Sequence, residues 1–422
     1  MNYYKELKKK ININKAVVCV IGLGYVGSAI IEKFNNKNFK TIGIDKDKYK
    51  FSILPKAKKM KLTSDYKFVN LADIIIIALP TPLKKNMSPD LSYIISCMQK
   101  IKQYLKKGQL ISLESTTYPG TTEEIILPIL KKRNFTISKN FFLVYSPERI
   151  SPELKVKDKT IKYKFHNTPK IYSGYSDYCK SLGALIYKKI TRKVVLASSL
   201  KMAETTKMVE NIFRSINIGL VNELKMFLDK IKIDINEALD LADTKPFGFT
   251  KFDPGPGYGG HCIPLDPFYL YWLAKKNNFK LKFIKTSGMV NKEVINWITN
   301  KILKFIKIKK IKLFEKKILI LGVAYKANID DTRESPAFKI AEKLKKNGYD
   351  FEYSDPYVKK IKFGNKIKKS KNINAKLLKK YPIVLLATDH AKFNYNLISK
   401  KAMYLFDSRN SIKNRKKNYF KV

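Results

Sequence analysis

The residue types best suited to covalent chemistry lie in one glycine-rich stretch, residues 255–267, which reads GPGYGGHCIPLDP. Its thiol, Cys262, is a nucleophile, and Asp266, four residues later, is a group that can transfer protons. A lone cysteine in a surface turn is usually inert. Here, however, glycines allow the backbone to approach a bound ligand, and the cysteine has acid–base neighbours. The stretch therefore predicts that Cys262 attacks a substrate.

A second set of polar residues lies on a long helix, which the sequence predicts from Ser199 to about Ile231. Lys207, Asn211 and Arg214 are spaced i, i+4 and i+7, so they share one face. A lysine and an asparagine that face a cleft can polarise a substrate oxygen, and an arginine can pair with phosphate. The alternative is a solvated stripe. Apolar residues on both sides instead predict a helix buried nearly all round. The candidates for burial are Met208, Val209, Ile212, Phe213, Ile216, Leu220 and Val221.

These side chains need a scaffold, and the chain begins with the pattern of a dinucleotide-binding unit. An apolar strand leads into the turn GLGYVG at 22–27, followed by a helix and a second strand that ends at Asp45. Gly22 permits the tight turn, Gly24 lets the backbone approach a pyrophosphate, and Gly27 lets the helix pack on the strand. Asp45 can accept hydrogen bonds from both ribose hydroxyls, and it would repel a 2′-phosphate. The pattern predicts NAD as the cofactor.

More apolar strands alternate with helices, which predicts a parallel sheet. The predicted strands are Ile74–Leu79, Leu110–Leu113, Phe141–Tyr145, Ile171–Ser173 and Val194–Leu196. Ligand loops lie at the carboxyl ends of such strands, where Thr81, Thr116 and Glu148 stand. Turn chemistry alone could explain these residue types. Their position at strand ends favours contact with cofactor or substrate.

A second strand–turn–helix unit begins at residue 317 and continues with GVAYKA at 322–327. It lacks GxGxxG, so it predicts a ligand other than a dinucleotide. Lys326 and Arg333 would suit a nucleotide diphosphate. Asp330 and Asp331 are expected to form ion pairs with these two cations. His390 is expected to be a structural residue.

The composition limits the remaining possibilities. The chain has 422 residues and 45% hydrophobic content, which predicts a globular protein of two or three domains. Its four cysteines are scattered, without metal-ligand spacing, and the first residues lack the apolar segment of a signal peptide. These features predict a cytoplasmic protein without a metal site.

The formal net charge is +50, which raises the possibility of a polyanion-binding protein. Only seven of the 85 basic residues are arginine, however, although nucleic-acid readers favour the arginine fork. The lysines are spread along the whole chain. Compositional drift therefore explains the charge better than selected nucleic-acid binding.

We expect an α/β protein with two Rossmann-like, doubly wound parallel-sheet domains joined by a central domain of long helices. The expected boundaries are 1–198 for an NAD-binding domain, 199–306 for a helical dimerisation domain that carries the cysteine loop, and 307–422 for a second Rossmann-like domain.

The motifs together resemble the UDP-glucose/UDP-N-acetylhexosamine 6-dehydrogenase family, over nearly the whole chain, and within it the UDP-N-acetylglucosamine enzymes. The segments that carry the resemblance are PTPL at 80–83, PDLSY at 89–93, STTYPGTTEE at 115–124, SPER at 146–149, KPFGF at 245–249, residues 255–267 and GVAYK at 322–326. The resemblance implies that NAD oxidises C6 of a UDP-sugar in two steps, through a thiohemiacetal and a thioester on Cys262. It also implies a homodimer or higher homo-oligomer and a role in polysaccharide biosynthesis.

The resemblance assigns roles residue by residue. The implied catalytic residues are Cys262, Lys207, Asn211, Asp266, Glu148 and Thr116. The implied cofactor contacts are Gly22, Gly24, Tyr25, Val26, Gly27, Asp45, Lys50, Thr81, Thr116 and Arg333. The implied substrate contacts are Glu148, Arg149, Lys207, Asn211, Arg214, Gly259, Tyr325 and Lys326.

Two departures from the family bear on the sugar. Residues 151–153 read Ser-Pro-Glu where the family often has Pro-Gly, and Leu265 replaces a lysine that the glucose enzymes use. The second departure argues against UDP-glucose. The resemblance to the GlcNAc enzymes favours UDP-GlcNAc, and UDP-ManNAc, UDP-GalNAc and UDP-glucose stay open as alternatives. The remaining alternatives are a two-electron dehydrogenase of the hydroxyacid type, which needs no nucleophile, and the polyanion-binding protein.

Overall fold

The structure is a computed structural model that describes residues 2–149, 167–260 and 262–422. Residues 151–153, where the sequence differs from the pattern of the family it resembles, therefore lie outside the described residues. Contacts divide the described chain into two units. The first contains residues 2–149, 167–210 and 268–278, and the second contains residues 211–260, 262–267 and 279–422.

The first unit is built on an eight-stranded sheet of short apolar strands. Its strands are β1 (Val17–Ile21), β2 (Lys40–Ile44), β3 (Met60–Thr63), β4 (Ile74–Ile77), β5 (Leu110–Leu113), β6 (Phe142–Tyr145), β7 (Lys170–Gly174) and β8 (Val194–Leu196). Their order is β3-β2-β1-β4-β5-β6-β7-β8. The four consecutive isoleucines of β4 are all buried, as expected for a strand covered on both faces.

Helices cover this sheet. They are α1 (Tyr3–Asn12), α2 (Tyr25–Asn36), α3 (Tyr49–Ile53), α4 (Ser92–Ile101), α5 (Leu127–Lys131) and α6 (Asp177–Lys188). The core contains Phe34, Ile76 and Tyr187, all fully buried.

The sheet departs from the prediction at one pair. β7 runs antiparallel to β6, with Val144 opposite Gly174, whereas the other described pairs of this sheet are parallel. An all-parallel expectation assumes a crossover helix between consecutive strands, but an antiparallel pair needs none. The pattern of strands alone did not distinguish the two cases.

Four helices follow: α7 (Leu200–Lys230), α8 (Ile235–Ala242), α9 (Asp266–Lys276) and α10 (Lys282–Ile308). The prediction that α7 is buried nearly all round is wrong for this chain. Val209, Phe213 and Leu220 are exposed by 56%, 51% and 50%, whereas Met208 and Val221 are buried. The helix has two apolar faces, and the protein's own core covers one of them.

The second unit contains a five-stranded parallel sheet of order β10-β9-β13-β14-β15 and a separate hairpin, β11–β12. The strands are β9 (Lys317–Leu321), β10 (Asp350–Ser354), β11 (Lys360–Phe363), β12 (Lys366–Lys369), β13 (Ile383–Leu386), β14 (Tyr404–Asp407) and β15 (Tyr419–Lys421). The helices between them are α11 (Pro336–Lys346), α12 (Ala375–Lys380) and α13 (Tyr395–Lys401). The core includes Ile298 of α10 and Phe351 of β10.

The predicted fold class is confirmed: an α/β chain with two doubly wound sheets and a region of long helices between them in sequence. The three predicted domain boundaries stay predictions. None of the helices that the structure describes is long and apolar enough to cross a membrane.

Candidate active site

The glycine turn after β1 has the geometry that its sequence predicts. Gly22 has a φ of +94°, and a Cβ there would lie 2.4 Å from the Ala78 carbonyl oxygen. A Cβ on Gly27 would lie 1.8 Å from the Gly22 carbonyl oxygen, which leaves no room for a side chain. Nothing lies within 4 Å of a Cβ on Gly24. The turn is therefore closed behind Gly22 and Gly27 and open in front of Gly24.

Asp45, at the end of β2, is buried and holds the same turn. Its carboxylate accepts hydrogen bonds from Leu23 N at 2.8 Å, Asp47 N at 2.9 Å and Lys50 Nζ at 2.8 Å. Burial alone would raise the pKa of Asp45, but these donors outweigh it and hold the pKa below its ordinary value. The carboxylate is thus charged and oriented, and it has one of about four acceptor positions left.

These features fit a dinucleotide. Helix α2 begins at Tyr25, directly after Gly24, and no side chain caps its amino terminus. Its first turn therefore offers the positive end of the helix dipole to a phosphate. Val26 lies in that same turn. The cofactor NAD would be held by this turn and by Asp45.

Two loops at the carboxyl ends of β4 and β5 are tied together. Thr81 Oγ1 donates to the Thr116 carbonyl oxygen at 2.7 Å, and Ser115 Oγ bonds to the backbone of Leu79. Thr117 was not predicted, but its hydroxyl is fully buried and has no partner among the described residues. A ligand that reaches this loop could satisfy that hydroxyl.

Glu148, after β6, belongs to a buried ionic cluster that the sequence did not predict. Lys170 Nζ lies 2.6 Å from Glu114 Oε2 and 2.9 Å from Glu148 Oε2. Tyr187 OH donates to Glu114 Oε1 at 2.5 Å. Arg149, the neighbour of Glu148, forms an ion pair with Glu210 of α7 at 2.6 Å. Glu148 is therefore placed by a lysine rather than by solvent.

Lys207 of α7 is buried, at 9% exposure, and a buried acid lies one turn before it. Glu204 accepts hydrogen bonds from Thr122 N, Thr122 Oγ1 and Gly120 N, which ties α7 to the loop after β5. Burial raises the pKa of Glu204 to about 7, although these donors oppose the rise. The sequence predicted Lys207 but not the acid that fixes its helix.

Asn211 is buried like Lys207, but Arg214 is not. Asn211 is exposed by only 4%, whereas Arg214, further along the same predicted face, is exposed. The first two residues therefore form the buried part of the stripe. The role of Arg214 stays a prediction.

The cysteine loop in the second unit is held by its backbone at three points. Gly255 N donates to Asn222 Oδ1 at 2.9 Å, and Tyr258 N donates to Asn291 Oδ1 at 2.7 Å. Gly260 N donates to the Arg333 carbonyl oxygen at 3.0 Å. Such anchoring fixes the path of a loop whose glycines would otherwise leave it free.

Cys262 is exposed, and it lies in the turn that starts helix α9. Asp266 N donates to the Cys262 carbonyl oxygen at 2.8 Å. The Asp266 carboxylate is buried and accepts a hydrogen bond from Asn211 Nδ2 at 2.5 Å. The structure thus brings three predicted residues together: an accessible thiol, an acid and an amide donor. This combination suits nucleophilic attack followed by stabilisation of an oxyanion.

The segment after β9 meets the cysteine loop within the second unit. A Cβ on Gly259 would lie 2.8 Å from Tyr325 Cβ and 2.7 Å from the Glu334 carbonyl oxygen. Arg333 is fixed by Asp331, with an Nη2–Oδ2 distance of 2.6 Å, as the sequence predicts for this acid. Lys326 belongs to the same segment.

The described site residues fall in both units. Thr81, Thr116, Glu148, Arg149 and Lys207 belong to the first, together with the glycine turn, Asp45 and Lys50. The second contains Asn211, Arg214, Gly259, Cys262, Asp266, Tyr325, Lys326 and Arg333. Their functional roles stay predictions.

The first sheet, its glycine turn and the acid at the end of β2 are those of a dinucleotide-binding domain, and the chain is an NAD-dependent oxidoreductase. Models of one family match three parts of the chain. They describe the NAD binding domain at 52–191, the central domain at 201–293 and the UDP binding domain at 319–414. The chain belongs to the UDP-glucose/GDP-mannose dehydrogenase family. It is therefore an NAD-dependent UDP-sugar dehydrogenase.

Curated relatives cover most of the chain. Protein CapL of Staphylococcus aureus is 33% identical over 90% of this chain and 91% of its own length. UDP-N-acetyl-D-glucosamine 6-dehydrogenase of Salmonella typhi is 31% identical over 82% of this chain and 83% of its own. UDP-N-acetyl-D-mannosamine dehydrogenase of Methanococcus aeolicus is also 31% identical, over 92% of this chain and 87% of its own length. Identity to these relatives does not separate the two sugars.

A solved structure gives the same fold. The UDP-D-ManNAc dehydrogenase of Pyrococcus horikoshii has a TM-score of 0.82 and 26% sequence identity, and the match covers 96% of this chain and 98% of that one. The predicted family is confirmed, whereas the predicted preference for the UDP-GlcNAc enzymes is not resolved.

Proposed function

We propose that the protein oxidises C6 of a UDP-N-acetylhexosamine to the uronic acid, with Cys262 as the nucleophile. The observation that carries this proposal is the arrangement around the thiol. Cys262 is exposed on a loop with three backbone anchors, and the Asp266–Asn211 hydrogen bond lies at the start of the helix that follows. A two-electron dehydrogenase has no use for a nucleophile held in this way.

The chemistry balances in four steps. Each of the two oxidations removes a hydride from C6 and a proton from the oxygen on C6. NAD held at the glycine turn would supply the hydride acceptor, with one exchange of the nucleotide between the two steps, and the protons leave through the acid–base groups Asp266 and Glu148. Between these transfers the Cys262 sulfur adds to the aldehyde carbon, and the thiol proton passes to the oxygen. An aldehyde carbon has a second hydride to give only after such an addition makes it tetrahedral. Water then attacks the thioester, which releases the carboxylic acid and restores the thiol.

The remaining residues act on oxygen and water. Lys207 and Asn211 are donors that stabilise the oxyanion. Asp266, Glu148 and Thr116 position water and transfer protons. Lys207, Asn211 and Asp266 are buried, which suits these tasks because a low local dielectric strengthens each interaction.

We assign the UDP moiety to the second unit. Tyr325 and Lys326 lie in the segment against which Gly259 packs, and the family model for a UDP binding domain covers 319–414. Lys326 is a cation for the diphosphate, and the missing side chain of Gly259 lets the cysteine loop pack directly against Tyr325. Arg149 and Arg214 are the further candidates for contacts with sugar or phosphate.

For the sugar we place UDP-GlcNAc first, because the sequence motifs resemble the GlcNAc enzymes. Leu265, which stands where the glucose enzymes have a lysine, argues only against UDP-glucose. UDP-ManNAc is the second candidate. It is favoured by the structural similarity to the Pyrococcus horikoshii enzyme.

We also propose that a second copy of the chain covers the exposed face of α7. Phe213, Leu220, Leu224 and Phe227 of α7, with Ile231 directly after the helix, are all at least 38% exposed and recur at spacings of seven, four, three and four residues. This is the spacing of a helix–helix seam, which can be complementary to itself. Light scattering should give at least twice the mass of one chain, and Phe227→Glu should lower it.

The direct experiment is a panel of UDP-sugars with NAD, followed through the absorbance of NADH. UDP-GlcNAc or UDP-ManNAc should be oxidised, and UDP-glucose should be a poor substrate. Cys262→Ala should abolish formation of the carboxylate. Full activity of Cys262→Ala, or a complete lack of oxidation by the wild type across the panel, would overturn the proposal.

A further inference from the structure

The first unit contains a buried charged cluster around Lys170, in which the proposed chemistry uses Glu148 but neither Lys170 nor Glu114. Lys170 and Glu114 are nearly inaccessible, with side-chain exposures of 4% and 0%, and Glu148 is exposed by 10%. Behind them, Tyr187 OH lies 2.7 Å from Ser112 Oγ. One lysine therefore stands between two carboxylates, and only one of these acids has an expected role in catalysis.

Stability does not explain such a cluster. Removing three charged groups from water costs free energy that their mutual attraction seldom returns in full, and apolar replacements are often neutral or stabilising. Burial raises the pKa of Glu114, although Lys170 opposes this. Burial also disfavours the charged form of Lys170, but the two carboxylates outweigh it and raise the pKa of Lys170. The lysine stays charged, so the cluster orients its members.

Glu148 is held on both oxygens and through its neighbour. Its Oε2 accepts a hydrogen bond from Lys170 Nζ, and its Oε1 accepts one from Arg149 N at 2.6 Å. The Arg149 guanidinium donates to the carbonyl oxygen of Pro169, the residue before Lys170, at 2.8 Å. It also pairs with Glu210, which lies three residues after Lys207 on α7. Strand β7 and helix α7 thus fix the Glu148–Arg149 pair from two directions.

We infer that Lys170 is a positioning residue that holds the Glu148 carboxylate in the orientation needed to release the product, with Glu114 and Tyr187 holding Lys170 in turn. This inference rests on the proposed function, in which Glu148 positions the water that hydrolyses the thioester. It assigns Lys170 no contact with the substrate. A carboxylate that loses such a partner can rotate, and a small misplacement of a catalytic group has a large effect on rate.

The test is a set of matched variants. Lys170→Met combined with Glu114→Gln removes one charge of each sign, so the cluster keeps its net charge while Glu148 loses its ion pair with Lys170. Glu114→Gln alone keeps the Lys170–Glu148 contact. Lys180→Met is the control, because Lys180 lies on α6 and pairs with the exposed Asp177. Each variant is compared for kcat, for KM, for thermal unfolding with and without NAD, and for the intact mass during turnover.

The double variant should lose at least tenfold in kcat while KM for the UDP-sugar changes less than threefold. The stabilisation by NAD should be unchanged, and a sugar adduct on Cys262 should accumulate, because hydrolysis becomes the slow step. The kcat of Glu114→Gln should be at least five times that of the double variant. The kcat of Lys180→Met should match that of the wild type.

If the methionine variant does not fold, Lys170→Gln combined with Glu114→Gln replaces it as the test. This variant should lose at least threefold in kcat and should accumulate the same sugar adduct on Cys262. A kcat within threefold of the wild type, or a loss without adduct, would overturn the inference. Inactivity of the wild type itself on every UDP-sugar is a separate result, which rejects the proposed function.

Discussion

The chain opens both of its sheet regions with a strand and a glycine turn, GLGYVG at 22–27 and GVAYKA at 322–327. Gly22 and Gly322 have similar backbone angles, with φ of +94° and +78°. A Cβ on Gly22 would meet the carbonyl oxygen of Ala78, and a Cβ on Gly322 would meet that of Thr388. The two turns then diverge. Alanines stand at 324 and 327 where the first turn has Gly24 and Gly27. Helix α2 begins at Tyr25, within the first turn's motif, whereas α11, the helix after the second turn, begins only at Pro336.

The acid behind each turn shows the same divergence. Asp45 accepts three hydrogen bonds, which leaves an acceptor position for a ligand. Asp355, at the end of β10, accepts four from backbone N–H groups and a fifth from His390 Nε2 at 3.0 Å. Its carboxylate is saturated by the protein itself. The acid behind the first turn therefore keeps an acceptor position for the proposed cofactor, whereas the acid behind the second turn is used entirely by the fold.

The largest expected effect on stability and on NAD binding comes from Gly27→Ala. The new Cβ would lie 1.8 Å from the Gly22 carbonyl oxygen, so the turn must open. We expect a loss of about 3 kcal/mol or more in the free energy of unfolding, together with loss of NAD binding. Denaturant unfolding and calorimetric titration with NAD measure the two effects.

Gly24→Ala is the matched control for Gly27→Ala, because its Cβ points into open space. It should leave the stability of the free protein unchanged and weaken only NAD binding. Equal loss of stability in both variants would contradict the geometry of the first turn.

The next largest effect is expected from Asp355→Asn in the second region. An asparagine cannot accept all five hydrogen bonds, so buried donors lose their partner at a cost of about 2–4 kcal/mol. Burial disfavours the charged form of Asp355, but its donors, His390 first, hold its pKa below the ordinary value. The carboxylate therefore adds stability that is complete above about pH 4 and is lost as the pH falls further.

The difference in unfolding free energy between wild type and Asp355→Asn should accordingly shrink on acidification below about pH 4. NAD binding should not change. A variant that unfolds like the wild type at pH 7 would show that the saturated acid is not structural.

Asp45→Asn should have the smallest effect on stability and a selective effect on the cofactor. The substitution removes one acceptor from the ribose and the charge that Lys50 pairs with, so we expect about a tenfold loss in NAD affinity, or about 1.4 kcal/mol. Titration of both variants, Asp45→Asn and Asp355→Asn, gives the contrast directly. An equal loss of NAD affinity in the two would break the distinction between the regions.

The sequence predicted what depends on local pattern. The turn at 22–27, the strand 317–321 and the helix from about 199 to 231 lie within a few residues of their predicted positions. Lys207 and Asn211 are buried, as expected for residues of a site. Each of these features leaves a signal in neighbouring residues, such as a glycine where φ is positive or apolar spacing along a helix.

The sequence did not predict what depends on distant partners. Lys170 is one lysine among many, and only the register of β7 beside β6 brings it to Glu114 and Glu148. Asn222 of α7 and Asn291 of α10 hold the cysteine loop, and neither asparagine belongs to a motif that the sequence analysis identified. The expected burial of Phe213 was wrong because apolar character does not say whether the same chain provides the cover.

The most direct test of the proposed chemistry is the number of NADH molecules formed for each UDP-sugar consumed. Both quantities can be measured in one reaction, NADH by its absorbance and the sugar by chromatography. Capture of the aldehyde by Cys262 predicts two NADH per sugar and a uronic acid as product. One NADH per sugar, with an aldehyde or ketone as the product, would contradict the account.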